Sequence, residues 1–324
     1  MIRIRRVRKG DLSKIREVVE AAFGEFFEQI LGARPRQVFG GAQYVHHRWL
    51  MEPWGCFVAE DDDGKIVGAN ITVVWGTIGL FGPFAVHPSY QNQQIGQQLL
   101  KTTLDFFKEN HVTLEGLTTS PGSPKHLVLY QKFGYKPKLL IAITGKPLDR
   151  REIVQPVKPR SGPRVRRFST LSEREKKGAV LRMRKITHQI FRGMDLTKEV
   201  EIVDGLALGD TLLLERDRQL LGFAVCHTPG VSEAPQGAIY VKFLAVDPAR
   251  RRPEYFRELI AGAEEIGIAQ GLQRIICPVY TAYWRAFQTL LDVGYGIDFT
   301  LVRMKRGKNE EYENPDDFVL DDWR

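Results

Sequence analysis

The chain has 324 residues, 43% of them hydrophobic, and a formal net charge of +8. That length is long for one domain and comfortable for two, with apolar content enough for real cores. No apolar run is long enough to cross a membrane, and Met1 to Arg6 lacks the hydrophobic stretch of a signal peptide, so a cytoplasmic protein without a membrane partner is expected.

Cys56, Cys226 and Cys277 are isolated, which argues against a disulfide framework, and no Cys/His cluster has zinc-ligand spacing. His46 and His47 are adjacent, and adjacent side chains point apart on a helix or strand. A loop or surface position is therefore expected for the pair, and no metal. Arg3, Arg5, Arg6 and Arg8 crowd the start of the chain, Arg150 to Arg167 is strongly basic, and Glu310 to Asp322 is acidic. A basic surface suits an anionic partner. No aromatic-interleaved basic motif directs that charge to nucleic acid.

In chain order, Ile2–Val7 reads as a strand and Asp11–Phe23 as a helix with Asp11 at its N-cap. A further helical stretch is expected near Phe26–Leu31. Cys56–Glu60 and Ile66–Trp75 form a hairpin about the turn Asp61 to Gly64, a solvated turn without the rest of a calcium loop. Ile78–Val86 is a strand stopped by Pro88. A helix follows from about Gln94, with Ile95, Leu99, Leu100, Leu104 and Phe107 on one face. Leu114–Thr118 is the next strand, and Lys138–Thr144 closes the sheet. Between them, Ser123–Phe133 is a helix with Ser123 at the N-cap, Pro124 at the first position and Gly134 at the stop.

The strand, turn and helix start around Val86 to Gly96 have two readings. A helix N-terminus presents unpaired N–H groups and a partial positive charge to phosphate oxygens, and Gly96 lets a ligand approach the backbone. The segment is then a pyrophosphate cradle. Otherwise it is an ordinary connection. Together with the second helix, the segment resembles the GNAT acyltransferase superfamily. Val86, Pro88, Gln91, Gly96 and Leu99 match its cradle pattern, and Leu129, Tyr130, Gly134 and Tyr135 match the end of its later helix. The chain departs from that pattern at Gln94, where a glycine is usual, at Ser123, where Asn is usual, and at His126, where a small residue is common.

The second half echoes the first. Val86 and Pro88 recur as Val246 and Pro248, and Gly134-Tyr135 as Gly294-Tyr295, all displaced by 160 residues (246 less 86, 294 less 134). A hairpin at Val58–Gly68 recurs at Leu213–Gly222. The expected layout is an α/β protein of two tandem GNAT folds with mixed sheets. It has a first domain over 1–146, a Pro-rich basic linker over 147–163, a degenerate second domain over 164–306 and an acidic tail over 307–324. In the second copy Glu254 stands for Gln94, Phe256 for Gly96 and Leu290 for Tyr130, which removes the cradle and the acid. That copy is expected to serve as a support, a homodimer surface or a wall of the substrate cleft.

The resemblance implies acetyl-CoA as co-substrate and a primary amine, on a small molecule or peptide, as acceptor. Its pantetheine arm would lie along Phe84, Ala85 and Val86, with a strand N–H toward the thioester oxygen. Its pyrophosphate would lie over Gln91, Asn92, Gln94, Ile95, Gly96 and Gln97. Tyr130 would protonate the departing thiolate, and the acceptor would lie near Phe23–Phe27. Thr77–Val86 carries no carboxylate, so the general base stays open among Glu60, Glu115, His87, His126 and water. Two other readings remain: a non-catalytic acyl-CoA binder on the same scaffold, and an aminoacyl-tRNA-dependent transferase.

Overall fold

The computed structural model describes residues 1–32, 44–149, 162–307 and 312–324. Most of the expected linker, 150–161, and the start of the acidic tail, 308–311, lie outside the described residues. The first half contains β1 (Arg3–Arg6), α1 (Leu12–Leu31), α2 (Tyr44–Met51), β2 (Phe57–Glu60), β3 (Ile66–Trp75) and β4 (Ile78–Val86). It continues with α3 (Ile95–Glu109), β5 (Leu114–Thr119), α4 (Pro124–Lys132) and β6 (Lys136–Pro147). The second half contains β7 (Arg164–Arg167), α5 (Glu173–Ile190), α6 (Thr197–Gly205), β8 (Gly209–Arg216), β9 (Gln219–His227) and β10 (Ala238–Val246). Then come α7 (Pro253–Ala269), β11 (Arg274–Tyr280), α8 (Trp284–Asp292), β12 (Gly296–Gly307) and β13 (Val319–Asp321).

The repeat is exact in its later elements. Starts at 78 and 238, 114 and 274, 124 and 284, and 136 and 296 each differ by 160. Three local expectations are corrected. The helix expected near Phe26–Leu31 is the end of α1, which runs unbroken because no residue from Leu12 to Leu31 is proline and its one glycine, Gly24, is tolerated. Asp11 does not cap α1 with its side chain; its carboxylate accepts instead from Arg8 N at 2.7 Å and from Arg5 at 2.7 and 3.0 Å. His46 and His47 lie on the helix α2, and His47 is buried.

The strands join one sheet in the order β1-β2-β3-β4-β5-β12-β6-β11-β10-β9-β8-β7. The expectation that Lys138–Thr144 closes the first half's own sheet is not met. β6 pairs with β11 from Ile141↔Tyr280 to Pro147↔Arg274, and on its other edge with β12. In turn β12 pairs with β5 from Val302↔Thr119 to Gly307↔Leu114. Each half thus lends its last long strand to the other. β6 and β12 lie at equivalent places in the repeat, so the exchange is a near-symmetric swap within one chain.

The largest core cluster crosses the junction, bringing Trp75, Ile78, Leu80 and Leu114 together with Met194, Phe243, Tyr280 and Trp323. Backbone bonds seal it, with Thr77 N donating to Gly193 O at 3.1 Å and Asp195 N to Trp75 O at 3.3 Å. A second cluster lies between the first half's sheet and α3 and α4, and a third between that sheet and α1 and α2.

The exchange makes a direct prediction. Residues 1–149 and 162–324 made as separate chains should each be insoluble or unfolded, since each lacks an interior strand. Co-expressed, they should elute as a one-to-one complex with native circular dichroism. A folded, soluble monomer of 1–149 would contradict the exchange.

Candidate active site

β4 and β5 run parallel and pair only at Ile78↔Leu114, Gly79↔Glu115 and Leu80↔Gly116. Beyond Leu80 they part, while β4 continues to Val86 against β3 alone. The resulting notch opens beside Phe84 and Val86, which are half-buried, whereas Ala85 faces the opposite core. After β4 a single 3₁₀ turn over Pro88–Tyr90 leads to α3.

The start of α3 is assembled by the turn residues. Gln91 Nε2 donates to Val86 O at 3.2 Å, and its Oε1 accepts from Lys125 Nζ at 2.7 Å, tying the strand end to α4. Lys125 was not singled out from the sequence, where nothing marks it off from other lysines. Asn92 and Gln94 take left-handed backbone, with φ of 63° and 60°. Gln94 is the N-cap of α3, its side chain is exposed and makes no capping bond. This is the place where the resembled pattern has glycine, and the positive φ explains why.

The first helical bond runs from Gln98 N to Gln94 O at 3.1 Å, so the N–H groups of Ile95, Gly96 and Gln97 are left for a ligand. No acidic residue stands in that turn. A Cβ built on Gly96 would come within 3.2 Å of the Phe84 ring, so a side chain there would crowd the floor of the notch. Ile95 is buried and anchors the helix; it can offer a ligand its backbone only.

Tyr130 on α4 lies over this notch. Its ring centroid is 5.9 Å from Phe81, 6.2 Å from Phe84 and 6.4 Å from His126. Burial alone pushes its hydroxyl above the usual phenol range, so it is protonated at neutral pH. His126, one helical turn before it, has its basicity lowered first by burial and then by Lys125. Ser123, expected to cap α4, instead places Oγ 2.7 Å from His126 Nδ1 and makes no capping bond. Phe26 at the end of α1 packs on His126 at 5.6 Å and on Phe27 at 5.7 Å. The helix pair forms an aromatic shelf beside Tyr130.

Of the other candidate bases, Glu60 pairs with Arg5, and Glu115 holds Arg306 at 2.9 Å and the Tyr135 hydroxyl at 2.9 Å. His87 caps its own turn through Ser89 N. Only His126 stands against Tyr130.

The second half repeats the notch and fills it. β10 and β11 pair only at Ala238↔Arg274, Ile239↔Ile275 and Tyr240↔Ile276. Where they part, β13 enters: Phe243↔Asp321, Leu244↔Leu320 and Ala245↔Val319. Phe256, at the position equivalent to Gly96, is fully buried against Phe318 at 5.6 Å. Arg251 pairs with Asp317 at 2.6 Å. Val246 N donates to Phe318 O at 3.1 Å and Asp322 N to Lys242 O at 3.2 Å. The stretch expected as an acidic tail is, over 312–324, an interior part of the fold. Its acids are partnered: Asp321 by Arg303 at 2.8 and 2.9 Å, and Asp322 by Lys242 and Arg324. Arg303 is stacked between Tyr280 and Trp323, 3.9 and 3.8 Å from their rings.

Comparison with known proteins agrees with a fold of two related halves. The family model described as an acetyltransferase (GNAT) domain matches residues 52–137, and the acetyltransferase (GNAT) family model matches 180–287. A putative acetyltransferase from Pyrococcus horikoshii superposes with a TM-score of 0.67 at 16% identity, over 99% of this chain and 95% of that one. A tandem GNAT protein from the clavulanic acid biosynthesis pathway gives 0.62 at 12% identity, over 96% and 100%. A GCN5-related N-acetyltransferase from Sphaerobacter thermophilus gives 0.57 at 12%, over 96% and 98%. At these identities the likeness is one of fold. No curated protein matches the sequence.

The left-handed Gln94 yields a stability prediction. A non-glycine residue there costs about 1–2 kcal/mol, and glycine's greater freedom in the unfolded chain returns about 0.4–1 kcal/mol of that. Gln94→Gly should therefore raise unfolding free energy by roughly 0.8 kcal/mol in urea titration. A loss of stability would show that the Gln94 side chain makes a contact that holds the turn.

Proposed function

Because the chain belongs to the GNAT acyltransferases, as a tandem of two such domains, we propose that it is an acetyl-CoA-dependent N-acetyltransferase with one working site, in its first half. The observation that carries this reading is the contrast between the notches. The one at β4 and β5 carries Gly96, unpaired helix N–H groups and Tyr130, while the one at β10 and β11 holds β13. The residues present fit the co-substrate: the cradle has no acid in its first turn and a glycine where a side chain would strike Phe84.

When bound, acetyl-CoA supplies a thioester carbonyl and a thiolate leaving group. The N–H groups of Ile95, Gly96 and Gln97 hold its phosphates. The free edge of β4 beyond Leu80 orients the pantetheine arm, and Gln91 fixes the strand end by holding Val86 O. The acceptor is a primary amine on a small molecule or peptide, and the Phe26–Phe27 shelf forms one wall of its site. His126, neutral at pH 7, takes the proton that the amine must shed. Tyr130 gives its proton to the thiolate. An ordinary phenol near pKa ~10 meets a thiol near ~8.5 slightly uphill, and burial lifts both acids in the same surroundings.

The competing reading, an acyl-CoA binder without activity, is separated by one substitution. Tyr130→Phe removes the hydroxyl and keeps the ring that packs on Phe81 and Phe84. Turnover with a responsive amine should fall about 10²–10⁴-fold while acetyl-CoA binding is retained. Unchanged turnover would take Tyr130 out of the reaction.

A further inference from the structure

The junction between the halves buries a second cluster of reactive groups, well apart from the notch in its chain positions. His47 comes from α2 of the first half; Glu199 on α6 and His227 at the end of β9 come from the second. All three are buried, with 2%, 1% and 0% of their surfaces exposed. Glu199 Oε1 lies 3.3 Å from His47 Nε2 and 3.4 Å from His227 Nε2. One donor atom from each residue falls within 4.8 Å of the other two.

Well-aligned hydrogen bonds do not account for this convergence, whose contacts are ion-pair contacts at 3.3–3.5 Å. Both ring nitrogens of His47, both of His227 and Glu199 Oε1 are buried and lack a hydrogen-bond partner of acceptable geometry. Five such atoms at one place are unusual, because a buried polar atom without a partner costs as much as a lost hydrogen bond. A cation between them would satisfy three at once. Two ligands on a tetrahedral zinc ion, each about 2.0–2.1 Å from it, are about 3.3–3.4 Å apart. That is the spacing of both nitrogen–oxygen pairs. The outer contacts fit as well. Glu233 Oε1 stands 3.5 Å from His47 Nδ1, the side of a ligating imidazole that a carboxylate usually orients. Trp75 Nε1 donates to Glu199 Oε2 at 3.3 Å, steadying the other carboxylate oxygen. Glu233 is itself held by Arg48 at 2.7 Å and Lys242 at 3.0 Å.

We propose that His47, Glu199 and His227 form a buried site for one divalent transition-metal ion of the zinc class, which clamps the two halves together. Two imidazoles and a carboxylate suit zinc better than calcium or magnesium, which prefer all-oxygen shells. Burial gives the site a structural part. The sequence expectation of no metal rests on the lack of a Cys/His cluster with zinc-ligand spacing and on His46 and His47 as neighbours; the ligands proposed here come from three distant segments, which no local spacing reveals.

The test uses the full chain produced in zinc-supplemented medium and freed of loose metal by gel filtration. Elemental analysis should find about one zinc ion per chain. His227→Gln and Glu199→Gln should each carry at least about tenfold less. Since His227→Gln could fail to fold, wild type is also refolded with Zn²⁺ or with a chelator. The zinc-refolded chain should melt at the higher temperature, and that gain should be absent in Glu199→Gln. Wild type that carries no metal and melts alike in both buffers would overturn the proposal, leaving an ion-pair cluster in which His47 is the cation. So would variants that keep their full zinc content, which would place the metal elsewhere.

Discussion

Everything in this fold depends on the exchange of β6 and β12. A strand in the middle of a sheet bonds on both edges, and each of these bonds on both edges to strands that include the opposite half. The conformational entropy of ordering either half is therefore repaid in full only when both are folded. The exchange also fixes the two notches in one continuous sheet. It brings β5 beside β12 and β11 beside β6, so both parallel pairs that splay apart are braced on their outer side. Trp323 adds to the brace by lying against Gly116 of β5, where a Cβ would come within 2.2 Å of its ring.

On that shared frame the halves differ in what occupies the splay. A parallel pair that separates leaves backbone groups which need partners. In the second half β13 provides them, and Phe256 and Phe318 fill the space above. In the first half, among the described residues, β4 beyond Leu80 pairs on one edge only, and the surrounding side chains are Gly96, Phe84, Val86 and Tyr130. The same architecture thus gives a core filled by β13 in one place and, among the described residues, a splay lined by Gly96, Phe84 and Tyr130 in the other. The difference rests on a few residues: Gly96 against Phe256, Tyr130 against Leu290, and the stretch from Asp317 to Arg324.

Much of this was legible locally. The bounds of β4, the start of α3 and the 160-residue displacement follow from hydrophobic periodicity, proline stops and short matches, all properties of neighbouring residues. The strand, turn and helix start that carry the candidate cradle were legible because Gly96 and Tyr130 sit at spacings that a helix N-terminus and a facing helix impose. What was not legible is long-range. The pairing of β6 with β11 rather than β5 is a choice between partners of similar character, and both edges satisfy the same backbone groups. The burial of 312–324 was hidden by its acids, since Asp321 and Asp322 look solvated until Arg303, Lys242 and Arg324 are brought to them. α2 was missed because Arg48 and His47 are buried on a short helix, which blurs its apolar face. That His126, among the candidate bases, stands beside Tyr130 and Phe26 emerges only from the fold.

The central claim is that one cleft per chain takes acyl-CoA and that it lies in the first half. Calorimetric titration of the full chain with acetyl-CoA, read for stoichiometry, tests it most directly. The account predicts one equivalent per chain, lost in Gly96→Trp. Two equivalents, or one that survives Gly96→Trp, would contradict it.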